Sequence, residues 1–331
     1  MKEVNPQLQR SGLKDRGTVT FVPIPLESLC LDTNTNFRIY VLTEREKEPV
    51  LYRAENLPFS EGVRKRLLEH DIERVYIESN DRGKYQEYIE DNLNDIVRND
   101  TIQTNEKAEI VYSSATFLME KLFEKPRVGK SIRRCEKLVR NTVEFVMRDD
   151  KAFRNLLTVT SYDYHTYTHS VNVFVFCVAL AQRLGMAKKS DLFVLGTGAL
   201  LHDVGKSLID KSIIAKRGLL NDKEWAIIKK HPVYGAEILR ETGGIPEESY
   251  AVVVQHHERC DGSGYPEGFS KDRIHYYAKL SAVADVFDAM TTRRVYKEAA
   301  GTFAALQTMK SEMSGGLDQN IFEEFVRLMG Q

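Results

Sequence analysis

The 331-residue chain is poor in cysteine, has no long apolar run and carries almost no net charge. Its four cysteines, Cys30, Cys135, Cys177 and Cys260, lie far apart and form no Cys-x-x-Cys pair. That argues against a disulfide framework and a cysteine-rich structural zinc site, and it fits reduced thiols in a cytoplasmic protein. The longest apolar run, Val171 to Ala181 interrupted at Asn172, reads as a buried helix; a bilayer span takes roughly 20 residues. Met1 to Arg16 is polar and lacks the apolar core of a signal peptide. A formal net charge of -1 gives no global field for a nucleic acid polymer or an anionic membrane. These absences predict a cytoplasmic protein with no membrane span and no nucleic acid polymer as partner.

What is present is the composition of a globular chain, 42% hydrophobic and 29% charged, long enough for two or three domains. Residues 1–18 are expected to be a flexible polar N-terminus. Residues 19–100 carry short β-branched and aromatic runs, Phe21 to Leu26, Phe37 to Leu42, Val50 to Ala54 and Val75 to Ile77, which predict strands. Between them, Ser60 to Glu69 predicts a helix with Ser60 as N-cap, and Tyr85 to Val97 predicts another. This is a small α/β unit with no catalytic constellation; its one histidine, His70, stands among charges and reads as a surface group. A regulatory, ligand-sensing or dimerising role is open to it. Residues 101–150 read as connecting helices, with apolar residues at three- and four-residue spacing on either side of a break at Lys125 to Gly129. Residues 151–331 read as all-helical. The fold class expected is therefore mainly α, with an all-helical C-terminal bundle and a small N-terminal α/β domain.

Of eight histidines, six fall between His165 and His257. His165 and His169 are four apart, the spacing of one helical face. His202-Asp203 closes an apolar segment, Leu192 to Leu201, and His256-His257 closes another. His231 stands in Lys229-Lys230-His231-Pro232, and Asp285 lies within the apolar stretch Leu280 to Phe287. A carboxylate in such a stretch is expensive unless paired or bound to a cation. A shared metal centre explains all of these residues together, and nitrogen and oxygen donors suit Fe, Mn, Zn, Co or Ni rather than Ca. The donors outnumber one ion's ligands. An aspartate can bridge two ions roughly 3.5–4 Å apart, an arrangement that predicts phosphoester hydrolysis by a metal-held hydroxide.

His202-Asp203-Val204-Gly205-Lys206, followed by His256-His257-Glu258-Arg259-Cys260-Asp261-Gly262-Ser263-Gly264-Tyr265-Pro266, resembles the HD-GYP family of metal-dependent cyclic di-GMP phosphodiesterases. The resemblance extends upstream to Tyr167 through Val173 and downstream to Asp285 through Lys297. It implies an HD-type catalytic domain over residues 151–331 that hydrolyses cyclic di-GMP to pGpG, with GMP as a further product in some members. It implies two or three divalent transition metal ions, Fe or Mn first, held by His169, His202, Asp203, His231, His256, His257 and Asp285. Asp203 matches the bridging carboxylate and Lys206 the lysine on the scissile phosphate. Gly264, Tyr265 and Pro266 match the substrate loop, and Arg294 and Lys297 match basic residues that hold substrate phosphates. His165 departs from the family pattern; a third-metal ligand, a group supporting another ligand and a spectator are all open. Glu258 and Asp261 either orient ligand histidines or cap the loop, and His275 matches no ligand position. Two other readings stand beside cyclic di-GMP hydrolysis: hydrolysis of another cyclic or linear nucleotide, and a non-catalytic cyclic di-GMP receptor. A homodimer and contacts with other signalling proteins are further expectations.

Overall fold

The structure is a computed structural model that describes residues 19–42, 49–127, 129–149, 151–160, 165–216, 218–292 and 300–330. The expected flexible N-terminus, residues 1–18, lies outside them. The chain divides into two compact units, Met1–Ile89 and Glu90–Gln331. The division falls inside the helix Arg82–Arg98.

In the first unit the strands are β1 (Phe21–Pro25), β2 (Thr33–Thr35), β3 (Ile39–Val41), β4 (Val50–Arg53), β5 (Leu57–Phe59) and β6 (Arg74–Glu78). Helix α1 (Glu61–Leu68) lies between β5 and β6, and α2 (Arg82–Arg98) follows them. Among the described residues the main sheet is antiparallel with order β1-β6-β3-β4, and β2 pairs with β5. On β6, Val75 and Ile77 are buried while Arg74 is exposed and Tyr76 and Glu78 are only partly covered, the two-residue alternation of a sheet with one core face. Ile24, Phe37, Ile39, Phe59, Val63 and Leu67 complete that core, and the Tyr85 and Tyr88 rings meet Phe37 edge-on at 5.7 and 5.6 Å.

The four predicted strands are present, but the β2–β5 pair was not expected. Its strands are three residues each, Thr-Asn-Thr and Leu-Pro-Phe, too short and too polar or proline-broken to show a pattern. Asp32 and Asn56, with φ of 58° and 61°, turn the chain beside them. Ser60 is the N-cap of α1, as expected, with extended backbone. Its carbonyl, rather than its hydroxyl, meets the helix, receiving the Val63 and Arg64 amides.

The second unit is helical. Its helices are α3 (Thr104–Glu124), α4 (Gly129–Arg148), α5 (Ala152–Val159), α6 (Thr166–Arg183), α7 (Lys189–Leu201), α8 (Lys211–Ile214), α9 (Asp222–Ile228), α10 (His231–Thr242), α11 (Glu247–Gln255), α12 (Tyr276–Thr291), α13 (Thr302–Glu312) and α14 (Gln319–Met329). Helix α6 is buried on every side from Thr168 to Ala181, packed by α3, α7, α12 and α14. A helix that is apolar all round can satisfy its surface only as such a central element. Helices α3 and α4, read from sequence as connectors, pack against α5, α6 and α7 within this unit. No helix among the described residues is long and apolar enough to cross a membrane.

Candidate metal centre

Three of the histidines are presented by one local device. His202 follows the last turn of α7, His231 follows α9, and His256 follows α11. Each ring turns back so that its Nδ1 meets a carbonyl three residues earlier: Ala199 at 2.7 Å, Ile228 at 2.7 Å and Val253 at 2.9 Å. Those carbonyls belong to helix ends, where the intrahelical partner is missing. A carbonyl only accepts, so Nδ1 carries the proton and Nε2 is left with a lone pair.

The lone pairs converge. His231 Nε2 and His256 Nε2 are 3.1 Å apart, and His231 Nε2 lies 3.2 Å from Asp203 Oδ1. On the other side of the same carboxylate, Oδ2 is 3.6 Å from His169 Nε2 and 3.5 Å from His202 Nε2. Donor atoms of Asp203, His231, His256 and His257 lie within 4.8 Å of one another, as do those of His169, His202 and Asp203. Asp203 belongs to both groups. Asp285, on α12, reaches His169 Nε2 at 3.0 Å with Oδ1 and His257 Nδ1 at 3.5 Å with Oδ2.

Where His202, His231 and His256 meet one another and Asp203, acceptor faces acceptor in a buried site. His202 Nε2 and Asp203 Oδ1 are buried without a hydrogen-bond partner among the described residues. A buried lone pair facing another lone pair is unfavourable unless a cation stands between them. Burial holds His256 and His257 well below the usual imidazole range, and neighbouring rings push the same way. Burial also lowers His231, against a rise from Asp203. For Asp203 burial acts to raise the carboxyl, but Lys206 and His202 outweigh it and hold it well below the usual range. Asp285 is likewise kept ionised, burial being overcome by His169 and His257. Neutral imidazoles and ionised carboxylates are the protonation states that metal ligation requires. The residues present fit divalent metal ions.

The backbone path around the centre is tight. At Gly205 a Cβ would stand 1.9 Å from the His231 carbonyl oxygen, so no side chain fits between the Val204–Leu208 turn and α10. Lys206, in that same turn, places Nζ 2.6 Å from Asp203 Oδ2. In the loop after His257, the buried Glu258 carboxylate accepts the amides of Glu267 and Phe269, each at 2.8 Å. Asp261 accepts the Ser263 amide at 2.9 Å. Both acids thus hold the loop, their carboxylates accepting from groups of the loop itself. At Gly264 a Cβ would stand 2.4 Å from the Arg259 amide nitrogen. This close approach lets Tyr265 N reach the His257 carbonyl at 3.2 Å and brings the Tyr265 ring within 4.6 Å of His257. Pro266 follows through a cis peptide bond.

A cleft of about 760 Å³ opens over the centre. His231, His257 and Asp285 reach it, and Lys206, Arg259, Tyr265 and Trp225 line it. Burial pushes the Tyr265 phenol up, so it is a neutral hydroxyl. Lys229 stands over the Tyr265 ring at 5.6 Å.

His165 is not brought to the cluster. It is the N-cap of α6, with extended φ and ψ of -125° and 147°, so the helical spacing to His169 does not apply to it. Its ring is exposed and stacked on Tyr167 at 4.9 Å. His275 caps α12, accepting the Tyr277 amide on Nδ1 at 3.2 Å, and His70 is exposed. Arg294 and Lys297 lie outside the described residues.

Two features were missed from sequence. Trp225 is half-exposed beside the cleft, and nothing in a lone tryptophan on a short amphipathic segment signals that position. Asp288 is buried and meets His169 Nδ1 at 2.7 Å. Its signal was available, because Asp285 and Asp288 are three apart on one apolar helix and share a face.

An HD domain family model matches residues 149–321. A cyclic di-GMP phosphodiesterase of Pseudomonas aeruginosa is 34% identical over 227 residues, which are 67% of this chain and 54% of that protein. A 3'3'-cGAMP-specific phosphodiesterase of Vibrio cholerae is 40% identical over 134 residues, 40% of this chain and 26% of that protein. The chain thus spans about half the length of the first relative and about a quarter of the second. Among solved structures, an HDG"Y"P protein from Bdellovibrio bacteriovorus shares the fold with a TM-score of 0.65 at 22% identity, over 94% of this chain and 100% of that one.

Proposed function

This chain belongs to the HD domain family, as an HD-GYP protein, and on that premise we propose that it is a metal-dependent phosphodiesterase acting on cyclic di-GMP. The observation that carries the reading is the position of Asp203. Its two oxygens face two groups of imidazoles, and its Oδ1 and His202 Nε2 are buried without a hydrogen-bond partner among the described residues, beside a cleft that Lys206, Arg259, Tyr265 and Trp225 help to line.

We assign His169, His202, Asp203, His231, His256, His257 and Asp285 as ligands of two divalent ions. Iron or manganese is the expected occupant, and nickel, cobalt and zinc are compatible with the same donors. Such ions, when bound, lower the pKa of water and polarise a phosphoryl oxygen. The chain's own part is to keep the imidazoles neutral, keep both carboxylates charged and exclude bulk water from the floor of the site. Lys206 directs its ammonium toward the phosphate, where charge on a phosphoryl oxygen grows during reaction. Water's oxygen becomes bonded to phosphorus, the bond to the leaving ribose oxygen breaks, and that oxygen ends protonated, giving pGpG. A second hydrolysis gives GMP. Tyr265, set by Gly264 and Pro266, and Trp225 offer flat faces to the two bases; such stacking contributes about 1–3 kcal/mol per base. Arg294 and Lys297 are proposed to hold the remaining phosphate charge.

The likeness to a 3'3'-cGAMP-specific enzyme favours one second reading, hydrolysis of a cyclic GMP-AMP by the same site. The α/β unit is proposed to control the enzyme, pair two copies or contact other signalling proteins, which sedimentation of the full chain with and without cyclic di-GMP checks. The central test is turnover of both cyclic dinucleotides by anaerobically purified protein reloaded with Fe(II), Mn(II) or Ni(II), with His202→Ala and Asp203→Ala as controls. Full metal loading and cyclic di-GMP binding without hydrolysis would replace the enzyme by a receptor.

A further inference from the structure

The metal centre is tied by a buried chain of hydrogen bonds to a helix outside the matched domain. His169 and Asn172 lie three apart on α6, and Asp285 and Asp288 lie three apart on α12, so each pair shares a helical face. The two faces interlock. His169 Nε2 meets Asp285 at 3.0 Å, and His169 Nδ1 donates to Asp288 Oδ2 at 2.7 Å. The other oxygen of Asp288 accepts from Asn172 Nδ2 at 2.8 Å. The amide oxygen of Asn172 in turn accepts from the Tyr112 hydroxyl at 2.8 Å.

Along this chain the Tyr112 hydroxyl donates to the Asn172 oxygen, which as an amide oxygen only accepts, and the Asn172 NH₂ donates to Asp288. With a divalent ion at the centre, as assigned above, the His169 ring carries its proton on Nδ1, toward Asp288, and turns its Nε2 lone pair toward the ion. Asn172, Asp288 and His169 are each 1% exposed, and Tyr112 is 9% exposed, so water does not compete for these bonds. Tyr112 sits on α3, before residue 149, where the family match begins.

We infer that Tyr112 is a positioning residue of the metal centre. Acting through Asn172 and Asp288, it fixes the tautomer and orientation of His169, so that α3 is a working part of the site rather than a connector. The inference rests on the metal-binding reading above. Partners that hold a ligand histidine typically change metal affinity by about 10–100-fold when removed, and a single net hydrogen bond further out is worth about fivefold.

The test is Mn(II) affinity of the full-length protein, measured by competition with a chelator, together with ¹⁵N chemical shifts of the His169 ring. Asp288→Asn is expected to weaken Mn(II) binding by about 10–100-fold, and Tyr112→Phe by about fivefold with a shift in the His169 ring signals. Tyr250→Phe is the control. It removes another buried hydroxyl, bonded to the Leu239 carbonyl at 3.1 Å, and it should lower thermal stability without moving metal affinity. Adding Tyr112→Phe to Asp288→Asn should cost little more, because the route is already cut. Wild-type affinity and unshifted His169 signals in Tyr112→Phe would overturn the inference, as would equal loss of affinity in Tyr250→Phe. If the wild-type protein takes up no metal at all, the metal-centre reading itself falls and the inference falls with it.

Discussion

In the N-terminal unit the deeply buried residues include Ile24, Leu26, Phe37, Ile39, Phe59, Val75 and Ile77, and among the described residues the buried polar side chains, the Tyr40, Tyr85 and Tyr88 phenols apart, are the uncharged Ser28, Thr35 and Gln86. In the helical unit His169, His202, Asp203, His231, His256, Glu258, Asp285 and Asp288 are buried just as deeply. Among the described residues only the second unit sinks a cluster of histidines and carboxylates into its core, which is unfavourable unless those groups are paired or bound to a cation. The difference teaches where to look for function: the second unit gathers buried histidines and aspartates around Asp203, and there the donor atoms converge.

The sharpest way to break this contrast is Asp203→Ala. It should abolish binding of two ions and lower turnover by more than the roughly 100-fold that loss of a supporting partner brings. Elemental analysis and steady-state kinetics check this, and a fully loaded, active variant would dissolve the distinction between the units. Lys206→Ala should keep its metal yet lose about 10²–10³ in kcat, the scale of one lost electrostatic donor. If its metal content falls in parallel, Lys206 is part of the scaffold instead. Trp225→Ala should raise KM by about tenfold with kcat and metal content unchanged, as the loss of one stacking face; an unchanged KM would remove Trp225 from the substrate site.

Two glycine substitutions compare the units directly. Gly205→Ala forces a Cβ into the His231 carbonyl and should destabilise by about 1–3 kcal/mol. Gly62→Ala in α1 meets nothing within 4 Å and should stabilise by about 0.5–1 kcal/mol. Chemical denaturation of each variant decides the sign.

The gentlest probe is pH. In metal-free protein, burial keeps His231, His256 and His257 from taking a proton that the unfolded chain accepts near pH 6.5. The unfolded state then binds more protons, so stability is greatest above that pH and falls as pH drops through it. Asp203 and Asp285, held well below the usual carboxylate range, add stability that is lost only in stronger acid. Tm after chelation should therefore be lower at pH 5.5 than at pH 7.5. A flat profile would mean that the buried histidines are not neutral by virtue of burial.

Much of this protein is determined by local sequence. The strands of the first unit, the cap position at Ser60, the helical second half and the donors from His169 to Asp285 all follow from periodicity, residue type and motif order. What the linear chain could not decide was which of those residues meet. His165 has the spacing of a ligand but caps α6 instead, because the helix begins one residue after it. Glu258 and Asp261 turn to backbone amides of their own loop. Asp288 finds His169, and Asn172 finds Tyr112, across 119 and 60 residues of sequence. Propensity and motif act over a few neighbouring residues, and they say which side chains a segment carries. Whether two buried lone pairs face each other, or a carboxylate lies between two sets of imidazoles, depends on how helices from distant parts of the chain pack. That was decided by the tertiary structure alone.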